Sequence, residues 1–144
     1  MSFPVTLCVL LLGLQGAIQA SEPVVAVKVV VEGLRPSVGQ LKVGLFGKEG
    51  FPRDDKRVLY GVSAPIAGTN QTVLIKGVPP GRYAILVHHD ENANGTMDLD
   101  LLGRPKEGYG VSNNARHVLR PPLYEEAAVL IGNGEASFLV KMRY

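Results

Sequence analysis

The sequence contains no tryptophan and only one cysteine, Cys8, and aromatic residues make up 6% of its 144 residues. Cys8 lies in an apolar N-terminal segment that we expect to be removed on export, so the remaining chain has no cysteine. That chain can therefore form no disulfide, cysteine-ligated zinc site or thiol nucleophile. The scarcity of aromatic side chains also counts against a carbohydrate-binding or adhesion module, which would need an exposed aromatic platform.

A strong excess of one charge sign is also lacking. The formal net charge is +2, and charged residues amount to 19% without a dense run of lysine and arginine. No nucleic-acid partner is expected, because binding to nucleic acid would require a concentrated basic surface. The hydrophobic fraction of 46% is typical of a globular protein, and the chain is long enough for one domain.

Residues 1–20, MSFPVTLCVLLLGLQGAIQA, carry no charged side chain and end in Ala20, before the polar Ser21 and Glu22. The apolar part spans about ten residues, fewer than the roughly 20 that cross a bilayer. This pattern predicts a signal peptide at 1–20 and a single domain at 21–144. We therefore expect a periplasmic or secreted protein with no membrane span after cleavage, whose partner is an unknown protein or envelope component.

Most of the remaining chain shows the period-2 alternation of β-strands. Valines at 25, 27, 29 and 31 share one face, as do Leu41, Val43 and Leu45. Strands are predicted at 24–32, 40–46, 72–78, 82–89, 124–131 and 136–144, with a hairpin turn at GNG, residues 132–134. Residues 56–70 are predicted to be irregular, and residues 101–122 to form one long loop.

About seven short strands without a helical pattern predict an all-β fold. The expected architecture is an antiparallel β-sandwich, immunoglobulin-like or transthyretin-like, with one long loop. No βαβ rhythm, glycine-rich nucleotide motif or P-loop is present in the sequence.

The densest polar stretch is HHDENANGTMDLD at 88–100. Counted from Asp90, oxygen-bearing side chains fall at positions 1, 3, 5 and 9 of an EF-hand-type calcium loop, with glycine at position 6 and a backbone carbonyl at position 7. The residues concerned are Asp90, Asn92, Asn94, Gly95, Thr96 and Asp98. The pattern therefore predicts that calcium is the cofactor of this loop.

The loop departs from a complete calcium loop in its last ligand. Position 12 is Leu101 rather than a bidentate glutamate, so Asp100 or Glu107 would have to supply the missing carboxylate. With two neutral asparagines among the ligands, we expect weak affinity, in the range of about 10⁻⁴ to 10⁻³ M found for extracellular modules. The alternative is a plain β-turn, because Asn94-Gly95 is a favoured turn pair.

The histidines offer a second kind of chemistry. His88 and His89 are adjacent on a predicted strand and should point to opposite faces, whereas His88 and Asp90 should share one face. The alternative to a non-enzymatic module is a metal-dependent hydrolase that uses His89, Asp90 and His117. No serine lies in a GxSxG motif, and the acidic pairs Asp98/Asp100 and Glu125/Glu126 are typical of solvated charge, so we expect a protein that is not an enzyme.

The stretch GVPPGRYAILVHHDENANGTMDLDLLGRPKEGYGVSNNA at 77–115, with PPLYEEAAVLI and the closing VKMRY, resembles domain-of-unknown-function family 2141 of exported bacterial proteins. The chain departs from that family's pattern at Val111, where phenylalanine is usual. The resemblance implies an exported β-sandwich of unknown activity. Since the pattern joins the acidic loop to GRPKEGYGVSNN, we expect these segments to pack together, with Glu107 completing the ion site and Tyr109, Asn113 and Asn114 lining a polar surface beside it.

Overall fold

A computed structural model describes residues 20–36 and 38–144. The predicted signal peptide lies almost entirely outside the described residues. These described residues contain eight strands: β1 (Val25–Glu32), β2 (Gln40–Phe46), β3 (Val58–Pro65), β4 (Asn70–Val78), β5 (Gly81–Asp90), β6 (Gly108–Val111), β7 (Ala128–Ile131) and β8 (Ala136–Lys141). One helical turn, α1 (Tyr124–Ala127), precedes β7. Within the described part of the chain, no helix is long and apolar enough to cross a membrane.

The strands form two sheets, which confirms the all-β sandwich. The smaller sheet has the order β4-β1-β8, and the larger has the order β3-β2-β5-β6, with β7 also pairing with β5. The main core lies between the sheets and includes Val27, Val29 and Val31 of β1 together with Leu41, Val43 and Leu45 of β2. These are the alternating residues that the sequence predicted to share a face, and burying them drives the packing of the two sheets.

Residues 58–65 form β3, so the prediction of an irregular segment there was wrong. Tyr60, Val62 and Ala64 pack against the main core, and β3 pairs with β2 along its length. The strand lies at the edge of its sheet, where Gly61 and the terminal Pro65 are tolerated because one side of the strand has no partner. Because Gly61 and Pro65 are typical of turns, they made the alternation of β3 hard to recognise in the sequence.

The predicted strand at 124–131 is half helical turn and half strand. Glu126 accepts a hydrogen bond from the backbone N–H of Leu123 at 2.8 Å, which closes the turn, and β7 begins only at Ala128. The prediction of a hairpin turn at GNG, residues 132–134, was also wrong. This segment connects strands of different sheets, since β7 pairs with β5 and β8 pairs with β1.

The final strand was expected to be antiparallel, yet β8 pairs with β1 in parallel, with Val29 opposite Phe138. The other strand pairs are antiparallel. The predicted long loop at 101–122 is interrupted by β6 and by a 3-10 turn at Ser112–Asn114. Because Gly108 of β6 lies opposite His89 of β5, the residue before β6, Glu107, is brought back to the end of β5.

Candidate cation-binding loop cluster

The loop cluster consists of His88, the loop from Asp90 to Asp98, and Glu107. The loop begins where β5 ends, and it turns sharply because Ala93 and Gly95 adopt left-handed backbone angles, with φ of 55° and 85°. The carboxylate of Asp90 accepts hydrogen bonds from the backbone N–H groups of Asn94 at 3.1 Å and Gly95 at 2.8 Å. Asp90 is 1% exposed, so these bonds hold the loop around a buried carboxyl group.

The side chains at positions 3 and 5 of the loop both contact the side chain at position 9. The Nδ2 group of Asn92 donates to Asp98 at 2.6 Å, and that of Asn94 donates to the other carboxylate oxygen of Asp98 at 3.0 Å. The Oδ1 atom of Asn94 accepts hydrogen bonds from both the backbone N–H and the hydroxyl of Thr96. The structure therefore brings the predicted loop ligands together, while their binding of an ion stays a prediction.

Glu107 reaches the loop through a short hairpin. An isolated bridge pairs Leu99 with Pro105, and the backbone N–H of Lys106 donates to the carbonyl of Asp98 at 2.8 Å. The Glu107 carboxylate then accepts from the backbone N–H groups of Glu91 at 2.9 Å and Asp98 at 3.2 Å. The expected packing of the GRPKEG segment against the acidic loop is thus observed at this residue.

Asp100, the other candidate for the missing carboxylate, is used elsewhere. It accepts hydrogen bonds from the backbone N–H groups of Leu102 and Arg104, and from the Arg104 guanidinium at 2.7 Å. The bond from the Arg104 backbone is the main cause that lowers the pKa of the Asp100 carboxyl. Asp100 stabilises the hairpin turn, and Glu107 is the carboxylate that meets the loop.

His88 is a candidate ligand to which the sequence alone assigned no role in the loop. Its Nε2 atom lies 2.8 Å from Oε2 of Glu107, and its side chain is 11% exposed. Ligand atoms of His88, Asp90 and Glu107 all lie within 4.8 Å of one another. The signal in the sequence was the shared strand face of His88 and Asp90, but the contact with Glu107 depends on the pairing of β5 with β6.

The two neighbouring histidines do point to opposite sides of β5. His89 is fully buried, with Nδ1 at 2.7 Å from the Tyr144 hydroxyl and Nε2 at 3.2 Å from the Val38 carbonyl. His117 instead contacts Glu126 beside α1, at 2.8 Å. Among residues 20–36 and 38–144, the metal-capable group contains His88 and Asp90 but neither His89 nor His117. The geometry of the alternative hydrolase site is therefore not present in the described chain.

The expected polar surface beside the loop is only partly formed. Tyr109 lies opposite His88 in the pairing of β5 with β6. Asn113, however, donates to the carbonyls of Glu126 and Ala128, so it holds α1 and β7 in place and does not face the acidic loop. That expectation was wrong for Asn113, because the 3-10 turn carries it past β6 toward β7.

Comparison with known proteins finds one family. The model of a family described as "Uncharacterized protein conserved in bacteria (DUF2141)" matches residues 29–138, which is most of the chain. No curated protein and no solved structure matches this sequence.

Proposed function

We propose that this chain, which belongs to the DUF2141 family of uncharacterised bacterial proteins, is an exported binding or structural module whose 90–98 loop is stabilised by calcium. The ligands would be oxygens of Asp90, Asn92, Asn94, Thr96 and Asp98, with Glu107 as the carboxylate that the loop itself lacks. Calcium prefers six to eight such hard oxygens. The module acts in the periplasm or outside the cell, on a protein or envelope partner, and without catalysis.

The position of Glu107 carries this proposal. Its carboxylate is 5% exposed and accepts hydrogen bonds from both ends of the loop, Glu91 and Asp98. The loop cluster thus brings the proposed carboxylate ligands Asp90, Asp98 and Glu107 close to the side-chain amides of Asn92 and Asn94. A divalent cation would offset the mutual repulsion of these carboxylates, which gives calcium a reason to stabilise the folded state and not the unfolded chain.

Thermal melting with and without calcium tests the proposal. After removal of divalent ions with a chelator, calcium at about 10 mM should raise the melting temperature, because this concentration exceeds the expected dissociation constant by about tenfold or more. Asp98→Asn should reduce the shift, since it removes one charged ligand without altering side-chain size. Glu135→Gln, at an exposed position between β7 and β8, removes a carboxylate outside the loop cluster, so it serves as the control and should keep the full shift.

An unchanged melting temperature at this calcium concentration would contradict the proposal. A shift that is the same for the parent protein and for Asp98→Asn would place calcium elsewhere and would contradict it equally.

A further inference from the structure

His88, Asp90 and Glu107 form a mixed nitrogen and oxygen donor set at the end of β5. His88 and Asp90 come from the same strand face, and Glu107 comes from the residue before β6. Their ligand atoms lie within 4.8 Å of one another, and the three side chains are almost entirely enclosed. Three donors from two chain segments therefore already point to one small volume.

Apart from His88, the two carboxylates of this volume have no direct basic ion-pair partner in the described part of the chain. Neither Asp90 nor Glu107 forms an ion pair with lysine or arginine among the described residues. Lys42 approaches the loop, but its Nζ atom donates to the carbonyl of Gly95 at 2.6 Å. Buried carboxylates in proteins are normally paired with a cation or coordinate a metal ion.

We infer that His88, Asp90 and Glu107 bind a first-row divalent transition-metal ion, with Zn²⁺ as the representative ion. Imidazole nitrogen with carboxylate oxygen suits zinc and its neighbours, whereas calcium takes oxygen ligands. This inference goes beyond the calcium proposal: it shares Asp90 and Glu107 with that site but requires His88, and it does not require Asn92, Asn94 or Asp98.

The site has the enclosure and the access that such an ion needs. Zinc sites place their ligands at roughly 2.0 to 2.2 Å from the ion, so the three side chains would have to rotate modestly around it. His88 also lines an open groove on the outer face of the larger sheet, together with Lys42, Leu86 and Thr96. An ion can therefore reach His88 from this groove.

Crossed titrations test the inference. Purified, chelator-treated protein is titrated by calorimetry with zinc chloride and, separately, with calcium chloride. His88→Gln should weaken zinc binding by about tenfold or more and leave calcium binding unchanged. Asp98→Asn should weaken calcium binding and leave zinc binding unchanged. His117→Gln removes an exposed histidine that lies outside the site, and it should bind zinc like the parent protein.

The absence of zinc binding, or zinc binding that His88→Gln does not weaken, would overturn the inference. Calcium binding without zinc binding overturns this inference alone, whereas zinc binding without calcium binding overturns only the calcium proposal. Circular dichroism shows whether His88→Gln is folded. If it is not, Co²⁺ added to the parent protein provides the second measurement: visible absorption bands of a bound ion with nitrogen and oxygen ligands support the site, and their absence overturns it.

Discussion

The Oε1 atom of Glu107 accepts a hydrogen bond from the backbone N–H of Glu91 at 2.9 Å, although 16 positions separate the two residues in the chain. The same carboxylate bonds to the backbone of Asp98 and to His88. One side chain therefore joins the beginning of the acidic loop, its end and the preceding strand. This relationship gives Glu107 a structural role even without a bound ion.

Replacing Glu107 with alanine should destabilise the fold in the absence of metal. The backbone N–H groups of Glu91 and Asp98 would lose their acceptor, and we expect a loss of about 3 kcal/mol in the free energy of unfolding. Urea denaturation in the presence of a chelator measures this loss. Glu135→Ala, at an exposed position, is the control and should change stability little. Equal effects of the two substitutions would show that Glu107 does not join the segments.

Ser112 fills a gap between two strands, and its loss should be costly. β6 pairs with residues 86–89 of β5, and β7 pairs with residues 81–84 of the same strand. The backbone of Ile85, between these two ranges, is therefore paired with neither β6 nor β7. The buried Oγ atom of Ser112 accepts from the Ile85 N–H at 2.9 Å and donates to the Ala127 carbonyl at 2.5 Å. Ser112→Ala should lower the free energy of unfolding by about 2 kcal/mol, because both backbone groups lose a partner.

Chemical denaturation of Ser112→Ala tests this role, with Ser63→Ala on the exposed side of β3 as the control. The control should stay within about 0.5 kcal/mol of the parent protein. If Ser112→Ala is equally neutral, the serine does not bridge the gap.

The hydroxyl of Tyr144 should contribute to stability through His89. Since the Val38 carbonyl can only accept, Nε2 of His89 donates to it, and Nδ1 accepts from the Tyr144 hydroxyl. Tyr144→Phe removes that donor from a fully buried ring nitrogen and also removes the acceptor of the Arg35 backbone N–H at 2.9 Å, so we expect a loss of about 1 to 2 kcal/mol in unfolding experiments. Tyr109→Phe is the control. It removes a hydroxyl that forms no hydrogen bond among the described residues, so the free energy of unfolding should change little. Similar stability of both variants would argue against this bond.

Glu126 should make stability depend on acid pH. Hydrogen bonds from the Arg120 side chain are the main cause that lowers the pKa of Glu126 to about 2, from an ordinary value of 4.5. Because the folded-state pKa is the lower one, the stabilisation is complete above about pH 4.5 and is lost as the pH falls toward 2. Glu126→Gln should therefore be less stable than the parent protein at neutral pH, and the difference should vanish near pH 2.

Urea unfolding across this pH range measures the effect, and Glu135→Gln provides an exposed carboxyl outside any ion pair of the described chain. A stability difference between Glu126→Gln and the parent that is constant with pH would contradict the role assigned to the ionised carboxylate.

Local patterns in the sequence predicted much of the sandwich. The valines of β1 and the alternating residues of β2 were assigned to the core correctly, because the period-2 geometry of a strand is a local property. The edge strand β3, the helical turn of α1 and the parallel partner of β8 were missed. Each of these depends on which segment lies alongside, and edge position or a change of sheet leaves little trace in the local sequence.

The candidate site shows the same division. The sequence by itself determined that Asp90, Asn92, Asn94 and Asp98 would be gathered in one turn. These residues are close in the chain, and a glycine with left-handed backbone angles bends the chain between them, so their proximity does not depend on the rest of the fold. Only the tertiary structure decided between Asp100 and Glu107, and only it brought His88 to the same point. The physical reason is strand pairing: Gly108 lies opposite His89, so the backbone hydrogen bonds of the sheet fix the position of Glu107 beside residues far from it in the chain.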